Sequence, residues 1–449
     1  MMSGEDGLWG ELPEQKAPEP AARAAPRLRR PERDQVGWQA AAIDDLIAPD
    51  HPARAVWAFV TALDLSELHD EVKAREGVPG QAPPDPALML ALWLFATVEG
   101  VGSARQLDRL CDQHLAYRWL CGGVSANYHT LSDFRLAHAD VLEKLLARGV
   151  ASLVAEGLVK LEVLAQDGMK VRAAAGAGSF RRRRRLEELQ KAAMDRIRRL
   201  RGEVDDDPSA GERRKQAAKE RAAREQAERL AAALERMKEL EAERARREKT
   251  NKGEVAKQKE PRASSTDPEA RVMKMADGVF RPAYNMQIVS AVEGQVVVAV
   301  DVETSGSDRG LARPAIERLL EAEIEPKDYL VDGGFTKNDD IEWAHGNDIR
   351  LTCPPTQSKH GTDPFAARDD DGPGLADWRR RMASDAGKAL YNLRAQAECP
   401  NAWARRMGLS RLLVRGKEKA RATLLLFALA HNMLRAFALR AIPAAPAQA

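Results

Sequence analysis

The sequence has few cysteines, no long apolar run and almost no net charge, and each shortage closes off a class of protein. Its four cysteines, Cys111, Cys121, Cys353 and Cys399, include no C-x-x-C pair, and although Cys111 stands three residues before His114 no second close pair follows. Neither a disulfide framework nor a structural zinc is suggested, and a reducing cytosol fits. Apolar stretches such as that around Leu424 to Ala430 fall well short of the ~20 residues that span a bilayer, and the N-terminal MMSGEDGLWGELPEQKAPEP has no basic region followed by an apolar one. The expectation is a soluble, cytoplasmic protein with no membrane partner. Lys+Arg 70 against Asp+Glu 68 leaves only +2, so any electrostatic partner must be met by a local patch. One such patch exists: residues 181–250 hold 23 Lys/Arg and 16 Asp/Glu, a net of +7 that leaves −5 for the rest. The 449 residues rule out a stapled miniprotein and, at roughly 100 to 200 residues per domain, predict two to four domains.

Residues 1–34, rich in Pro, Ala, Arg and Glu without apolar periodicity, read as a disordered arm with a basic end at Arg23 to Arg33. From 35 to 156 the pattern is helical. In PDPALMLALWLFATVEG, Pro86 stands near a helix start and Leu88, Leu90, Leu92, Trp93 and Phe95 make that helix apolar nearly all round; Ser103 and Thr130 suit the N-caps of later helices. The spacing permits a helix-turn-helix, as it does in many bundles.

The period then changes. KLEVLAQDGMKVRA (160–173) and AYNMQIVSAVEGQVVVAVDVETS (283–305) alternate as strands do, with a turn at Glu293-Gly294, and predict a three-stranded antiparallel meander interrupted after its first strand. LARPAIERLLEAEI (311–324) reads as an amphipathic helix, DYLVDGGF (328–335) as a buried strand, and DIRLTCPP (348–355) as another strand ended by Pro354. Strand, strand, strand, helix, strand, helix is the order of ribonuclease H-like α/β folds, a mixed sheet whose first three strands are antiparallel and whose later strands are parallel, here over 157–440. The interruption, 176–268, carries apolar stripes at Leu186, Leu189, Ala193, Ile197 and Leu200, then at Ala223, Ala227, Leu230, Leu234 and Met237. This predicts a charged hairpin of two long antiparallel helices, an arm of roughly 30 to 45 Å at ~1.5 Å per residue, followed by a polar linker over 250–270. The tail is expected to be helical from Arg405 to Leu439 and disordered over 441–449.

Two carboxylates stand out because each closes an apolar strand before glycine: Asp167 before Gly168, and Asp332 before Gly333-Gly334. Each is expected at a strand tip, where a metal and a phosphate can approach, although a single Asp-Gly is usually an ordinary turn. Tyr391, Arg394 and Glu398 follow at i, i+3 and i+7, one helical face. Strand Asp, strand Asp, helix Glu, with Y-x2-R-x3-E around the Glu, resembles the DDE transposases of bacterial insertion sequences that carry the YREK-type signature. STDPEARVMK (265–274), AYNMQ (283–287), YLVDGGF (329–335) and GLSRLLVRGKEKARATLLLFALAHNMLR (408–435) extend the likeness over most of the chain. One departure is Arg405, where the signature expects Lys seven positions after the Glu; it keeps the charge but not the compact ammonium.

The resemblance implies that Asp167, Asp332 and Glu398 are catalytic and hold two Mg²⁺, with Mn²⁺ as a substitute, and that no organic cofactor is needed. Like charges ~4 Å apart repel by about 4 kcal/mol at an effective dielectric of ~20, so such a cluster requires cations. It further implies 3′-end hydrolysis and strand transfer on element ends and target DNA, a helical 35–156 domain that binds the ends, Tyr391, Arg394 and Arg405 at flanking phosphates, and a homodimer in the synaptic complex of a nucleoid-associated bacterial enzyme. Arg181, Arg182, Arg183, Arg184 and Arg185 open the insertion and can track a DNA backbone, or simply begin a solvated helix. Trp378 reads better as a packing residue than as a base-stacking one, and His431 and Asn432 as core or capping groups. The alternative function is a DNA-binding protein of transposase descent, catalytically silent, acting as a repressor or host factor.

Overall fold

The computed structural model describes residues 42–75, 77, 81–202, 210–250, 260–355, 363–366 and 368–441. The arm over 1–34, the tail over 441–449 beyond its first residue, and 251–259 of the linker lie outside these. The N-terminal helices are α1 (Pro52–Thr61), α2 (Ser66–Asp70), α3 (Pro86–Val98), α4 (Ala104–Gln113), α5 (Leu115–Cys121), α6 (Tyr128–Ala137) and α7 (Ala139–Ala155). Every residue of α3 from Ala87 to Ala96 is buried, which its all-round apolar sequence requires. Ser103 caps α4 by accepting from the Gln106 N–H, whereas α6 is capped by Asn127, three residues before Thr130, because Asn127 Oδ1 accepts from the N–H groups of both His129 and Thr130.

The main sheet contains β1 (Val163–Arg172), β4 (Arg271–Lys274), β5 (Phe280–Ala291), β6 (Val297–Glu303), β7 (Asp328–Leu330) and β8 (Arg350–Thr352); two short strands, β2 (Phe180–Arg181) and β3 (Ala263–Ser264), pair apart from it. β5 pairs antiparallel with β1, β4 and β6, while β7 lies parallel to β1 and β8 parallel to β7. Residues 271–274, read as part of a segment flanking the catalytic strands, form β4 on the same side of β5 as β6. Helices α10 (Ala312–Glu321) and α11 (Asn338–His345) carry the chain from β6 to β7 and from β7 to β8, and α12 (Pro373–Ala383) packs beside α11.

Between β2 and β3 stand α8 (Arg183–Gly202) and α9 (Ala210–Thr250). Leu186, Ala193, Ile197 and Leu200 of α8 bury against Ala223, Ala227, Leu230, Ala233 and Met237 of α9, a seam separate from the main core. The helices are unequal: the 41 residues of α9 give ~60 Å at ~1.5 Å per residue, and its C-terminal half returns to the body, where Glu243 pairs with Arg271 of β4 at 2.9 Å.

The C-terminal segment corrects one expectation. It is not one helix from Arg405: α14 (Glu398–Arg406) ends at Met407, and α15 (Lys417–Arg440) begins after a non-helical stretch containing Gly408 at φ +81 and Gly416 at φ +90. Gly408 is obligatory on two counts, since a Cβ there would also lie 2.8 Å from the Gly100 carbonyl oxygen. Helix α15 is long and apolar enough to cross a bilayer, but 67% of its most apolar window is buried, packed on α3, α7 and β6. Asn432 ties it to the edge strand, its Oδ1 accepting from Val297 N–H at 2.8 Å and its Nδ2 donating to Val297 O at 2.7 Å. The core of the N-terminal helices is thereby continuous, through α15, with one face of the sheet.

Candidate active site

β1 and β7 pair up to Ala165 and Leu330, so Asp167 and Asp332 each stand two residues further on, just beyond the end of the β1–β7 pairing. Their local settings differ. β7 ends at Leu330, and Asp332 caps a short turn, Gly333–Phe335, its Oδ1 accepting from the Gly334 N–H at 2.7 Å. Asp167, by contrast, is not at a strand tip. β1 runs on to Arg172 because β5 continues beside it, pairing Asp167 with Ile288 and Gly168 with Gln287. Gly168 makes no turn there; it makes room. A Cβ on it would lie 2.5 Å from Asp308 Oδ1 and 2.7 Å from Gln287 Nε2. On that face Asp308 Oδ1 accepts from Asn285 Nδ2 at 2.6 Å and Gln287 Nε2 at 2.9 Å, Gln287 Oε1 from Gln166 Nε2 at 2.8 Å, and Gln166 Oε1 from the Tyr329 hydroxyl at 2.8 Å. The sequence reading did not single out this relay. Its signal was two amides, Asn285 and Gln287, alternating in a strand otherwise apolar on that stretch.

Tyr391 and Glu398 do not share one regular helix. α13 (Asp385–Asn392) gives way to a tighter turn, Leu393–Ala397, before α14 opens on Glu398. The tight turn still groups the three: Arg394 Nη2 donates to Glu398 Oε1 at 3.1 Å, and the Tyr391 hydroxyl is hydrogen-bonded to Arg394. The guanidinium lies within Coulombic reach of Tyr391, Asp167, Asp332 and Glu398 together, so it links the signature to both strands. Asn401, one turn beyond Glu398, donates from Nδ2 to Asp167 Oδ2 at 2.7 Å. Sequence alone gave no reason to choose it.

These contacts do not neutralise Asp167. Burial pushes its carboxyl up to about 6, with the Asp332 charge adding to the shift, against Arg394, the Gly168 N–H and Asn401, which favour ionisation. Burial also raises the Tyr391 hydroxyl. Among the described residues no three His, Cys, Asp or Glu side chains are grouped tightly enough to hold a metal as they stand. The donors nevertheless suit one: the carboxylates are hard oxygen ligands, Asp167 lacks a full counter-charge, and the Asn401 Oδ1 is buried without a partner. Such a set fits a divalent cation of the Mg²⁺ or Mn²⁺ type and not a soft one.

None of the remaining basic candidates forms an ion pair with these carboxylates among the described residues. Arg405 is exposed on the last turn of α14. In the arginine run, Arg182 pairs with Glu260, Arg183 with Glu241, and Arg184 and Arg185 both with Glu188, at 2.5 to 3.2 Å, while Arg181 is exposed on β2. Trp378 is 3% exposed and donates to the Cys353 carbonyl at 3.0 Å, a packing role.

Two family models match the chain, over residues 255–433 the Transposase DDE domain and over residues 41–136 the Transposase domain (DUF772). Both describe transposases, and that is the class of this protein. The chain belongs, more narrowly, to the DDE transposases of insertion sequences. Asp332 and Glu398 fall within the first match and Asp167 precedes it. The mixed α/β sheet is compatible with a ribonuclease H-like transposase core, and the family bears on a metal-dependent enzyme that cuts DNA. No curated protein and no solved structure matches the chain.

Proposed function

We propose that the protein binds the ends of its insertion sequence and catalyses cleavage and strand transfer at a site made by Asp167, Asp332 and Glu398, with Tyr391, Arg394 and Arg405 in the YREK-type positions. The observation that supports this is the Arg394 guanidinium, which lies within Coulombic reach of all three carboxylates. The sheet order, with β6, β5 and β1 antiparallel and β7 and β8 parallel to β1, supports a ribonuclease H-like core.

Asp167, Asp332 and Glu398 would hold two Mg²⁺, which when bound supply Lewis acidity at the attacked phosphate and lower the pKa of the attacking hydroxyl. Asn401 fixes the rotamer of Asp167 through the 2.7 Å bond, and Asp332 is fixed by the Gly334 N–H, so the two carboxylates are aimed before substrate arrives. Arg394 balances part of their charge and lies where it can hold a flanking phosphate, with Tyr391 steadying it. The helices of the N-terminal domain, α1 to α7, read the element ends, and two copies act together in the synaptic complex in the bacterial cytoplasm. Asp167→Asn, Asp332→Asn and Glu398→Gln test the reading through Mn²⁺ titration by calorimetry and cleavage of an element-end duplex. Each should lose tight metal binding and cut at least 100-fold more slowly while remaining folded. Three variants that bind metal and cut like the parent would overturn it.

A further inference from the structure

The cavity between the N-terminal helices and the C-terminal segment contains a charge that the fold does not balance. Arg135, on α6, is 5% exposed. Its guanidinium lies 4.4 Å over the Trp93 ring and its Nη1 donates to the Gly102 carbonyl at 2.8 Å, while its Nε is buried without an acceptor. No carboxylate pairs with it among the described residues, and burial alone draws its pKa down to about 10. An unpaired buried guanidinium is costly unless an anion completes it.

The wall beside it offers the rest of a site. The cavity, about 240 Å³, is also lined by Arg411, Val101, Leu412, Leu413 and Phe427. Arg411 is exposed and has no acid partner among the described residues. Leu413 is 58% exposed, an apolar surface left open next to two cations. At less than the ~300 Å³ of a drug-sized pocket, the space suits one small unit bearing a single anionic group and an apolar flank. A phosphodiester with its adjoining deoxyribose has that chemistry.

The cavity's place in the fold agrees. The segment carrying Arg411 is hydrogen-bonded to the end of β1, with Leu412 N–H donating to Arg172 O at 2.7 Å. Arg172 lies five residues beyond Asp167, ~17 Å at ~3.3 Å per residue of strand, which is about five nucleotides at 3.4 Å per nucleotide.

We propose that this cavity is a DNA-backbone subsite in which Arg135 and Arg411 grip one phosphate, about five nucleotides from the phosphate at Asp167, with the apolar wall against its sugar. The proposal rests on the transposase reading above and adds a residue-level path from the carboxylates to the N-terminal helices.

Because phosphate contacts carry no sequence information, a labelled generic 30-base-pair duplex suffices, titrated against the full-length protein from low to moderate salt. In Arg135→Gln/Arg411→Gln the slope of log affinity against log salt should be shallower by about 0.9, the loss of one phosphate contact, with each single variant in between and the melting temperature without DNA nearly unchanged. A merely structural role would lower affinity equally at every salt and leave the slope alone, so an unchanged slope in folded variants overturns the proposal. Should Arg135→Gln fail to fold, exposed Arg411→Gln carries the test, and its unchanged slope is equally fatal. If inorganic phosphate raises the melting temperature of the parent but not of Arg135→Gln, and the duplex slope is unaffected, the cavity takes a free anion and the proposal falls. A parent protein with no salt-sensitive duplex binding would instead sink the transposase reading itself.

Discussion

Replacing Asp167 by Asn should make the metal-free protein more stable. In the folded chain the Asp167 carboxyl is pushed up to about 6, chiefly by burial, from 3.8. A folded-state pKa above the unfolded one means that the native state holds its proton where the unfolded state has already lost it, so stability falls as pH rises between about 4 and 6 and stays lowered above that. The difference of roughly two pH units is worth about 3 kcal/mol at ~1.36 kcal/mol per unit. Asn keeps the shape and can accept from Asn401 without the charge, so Asp167→Asn should recover most of this at neutral pH and almost none at pH 4. For a chain this long that is a gain of roughly 3 to 4 °C in melting temperature, scaling the unfolding entropy per residue. Differential scanning fluorimetry in EDTA at pH 4 and pH 7.5, with the two proteins compared at each pH, reads it directly. A variant less stable than the parent at pH 7.5, or a gain of equal size at both pH values, would refute the assignment of Asp167 as a desolvated carboxylate lacking its cation.

Three further outcomes follow from contacts elsewhere. Gly168→Ala places a Cβ 2.5 Å from Asp308 Oδ1 and should cost about 1 to 3 kcal/mol by overpacking; adding Asp308→Ala should return part of it, and a simple sum of the two losses in thermal melts would contradict the crowding argument. Asn432→Leu strips both side-chain bonds from Val297 and should cost about 2 to 4 kcal/mol, seen also as faster amide exchange at Val297; unaltered exchange there would disprove the tether between α15 and β6. Leu230→Asp puts a charge in the seam of α8 and α9, so circular dichroism should show lost helix at low temperature while the main thermal transition persists; a collapse of both together would mean the hairpin is not a separate cooperative unit.

The features legible in the sequence were those set by local periodicity. The stripe from Leu186 to Met237 marks its own partner, because two narrow apolar faces on charged helices have nothing else to bury against, and it forms the seam of the hairpin. Asp332 was placed correctly beyond a short buried strand for the same reason. Asp167 was misplaced because an Asp-Gly dipeptide looks identical as a turn and as a mid-strand pair; only the packing of Asp308, 140 residues later in the chain, explains the glycine. Asn401 was invisible because its value lies wholly in a tertiary contact with a residue 234 positions away. The break before α15 was missed since VRGKEK carries no proline, and the positive φ of Gly416 is a consequence of where the chain must turn.

The charge balance at the carboxylates links these details to chemistry. Asp167 and Asp332 repel, and Glu398, with a side chain 63% exposed, contributes a third acid that solvent still screens. Against them the described residues set Arg394 alone at close range, itself partly desolvated. One guanidinium beside three acids holds the strands together without satisfying them, and burial, with the Asp332 charge adding to it, keeps the proton on Asp167 to about 6. A site built this way has a standing demand for positive charge, and cations satisfy it best where Asp167 is ionised. Divalent metal should therefore bind the parent more weakly below pH 6 than above it, releasing a proton as it binds, and the weak residual binding of Asp167→Asn should show no such dependence. Calorimetry with Mn²⁺ in two buffers of different ionisation enthalpy counts that proton; finding none in the parent at pH 6 would mean that Asp167 is not part of the metal's reach.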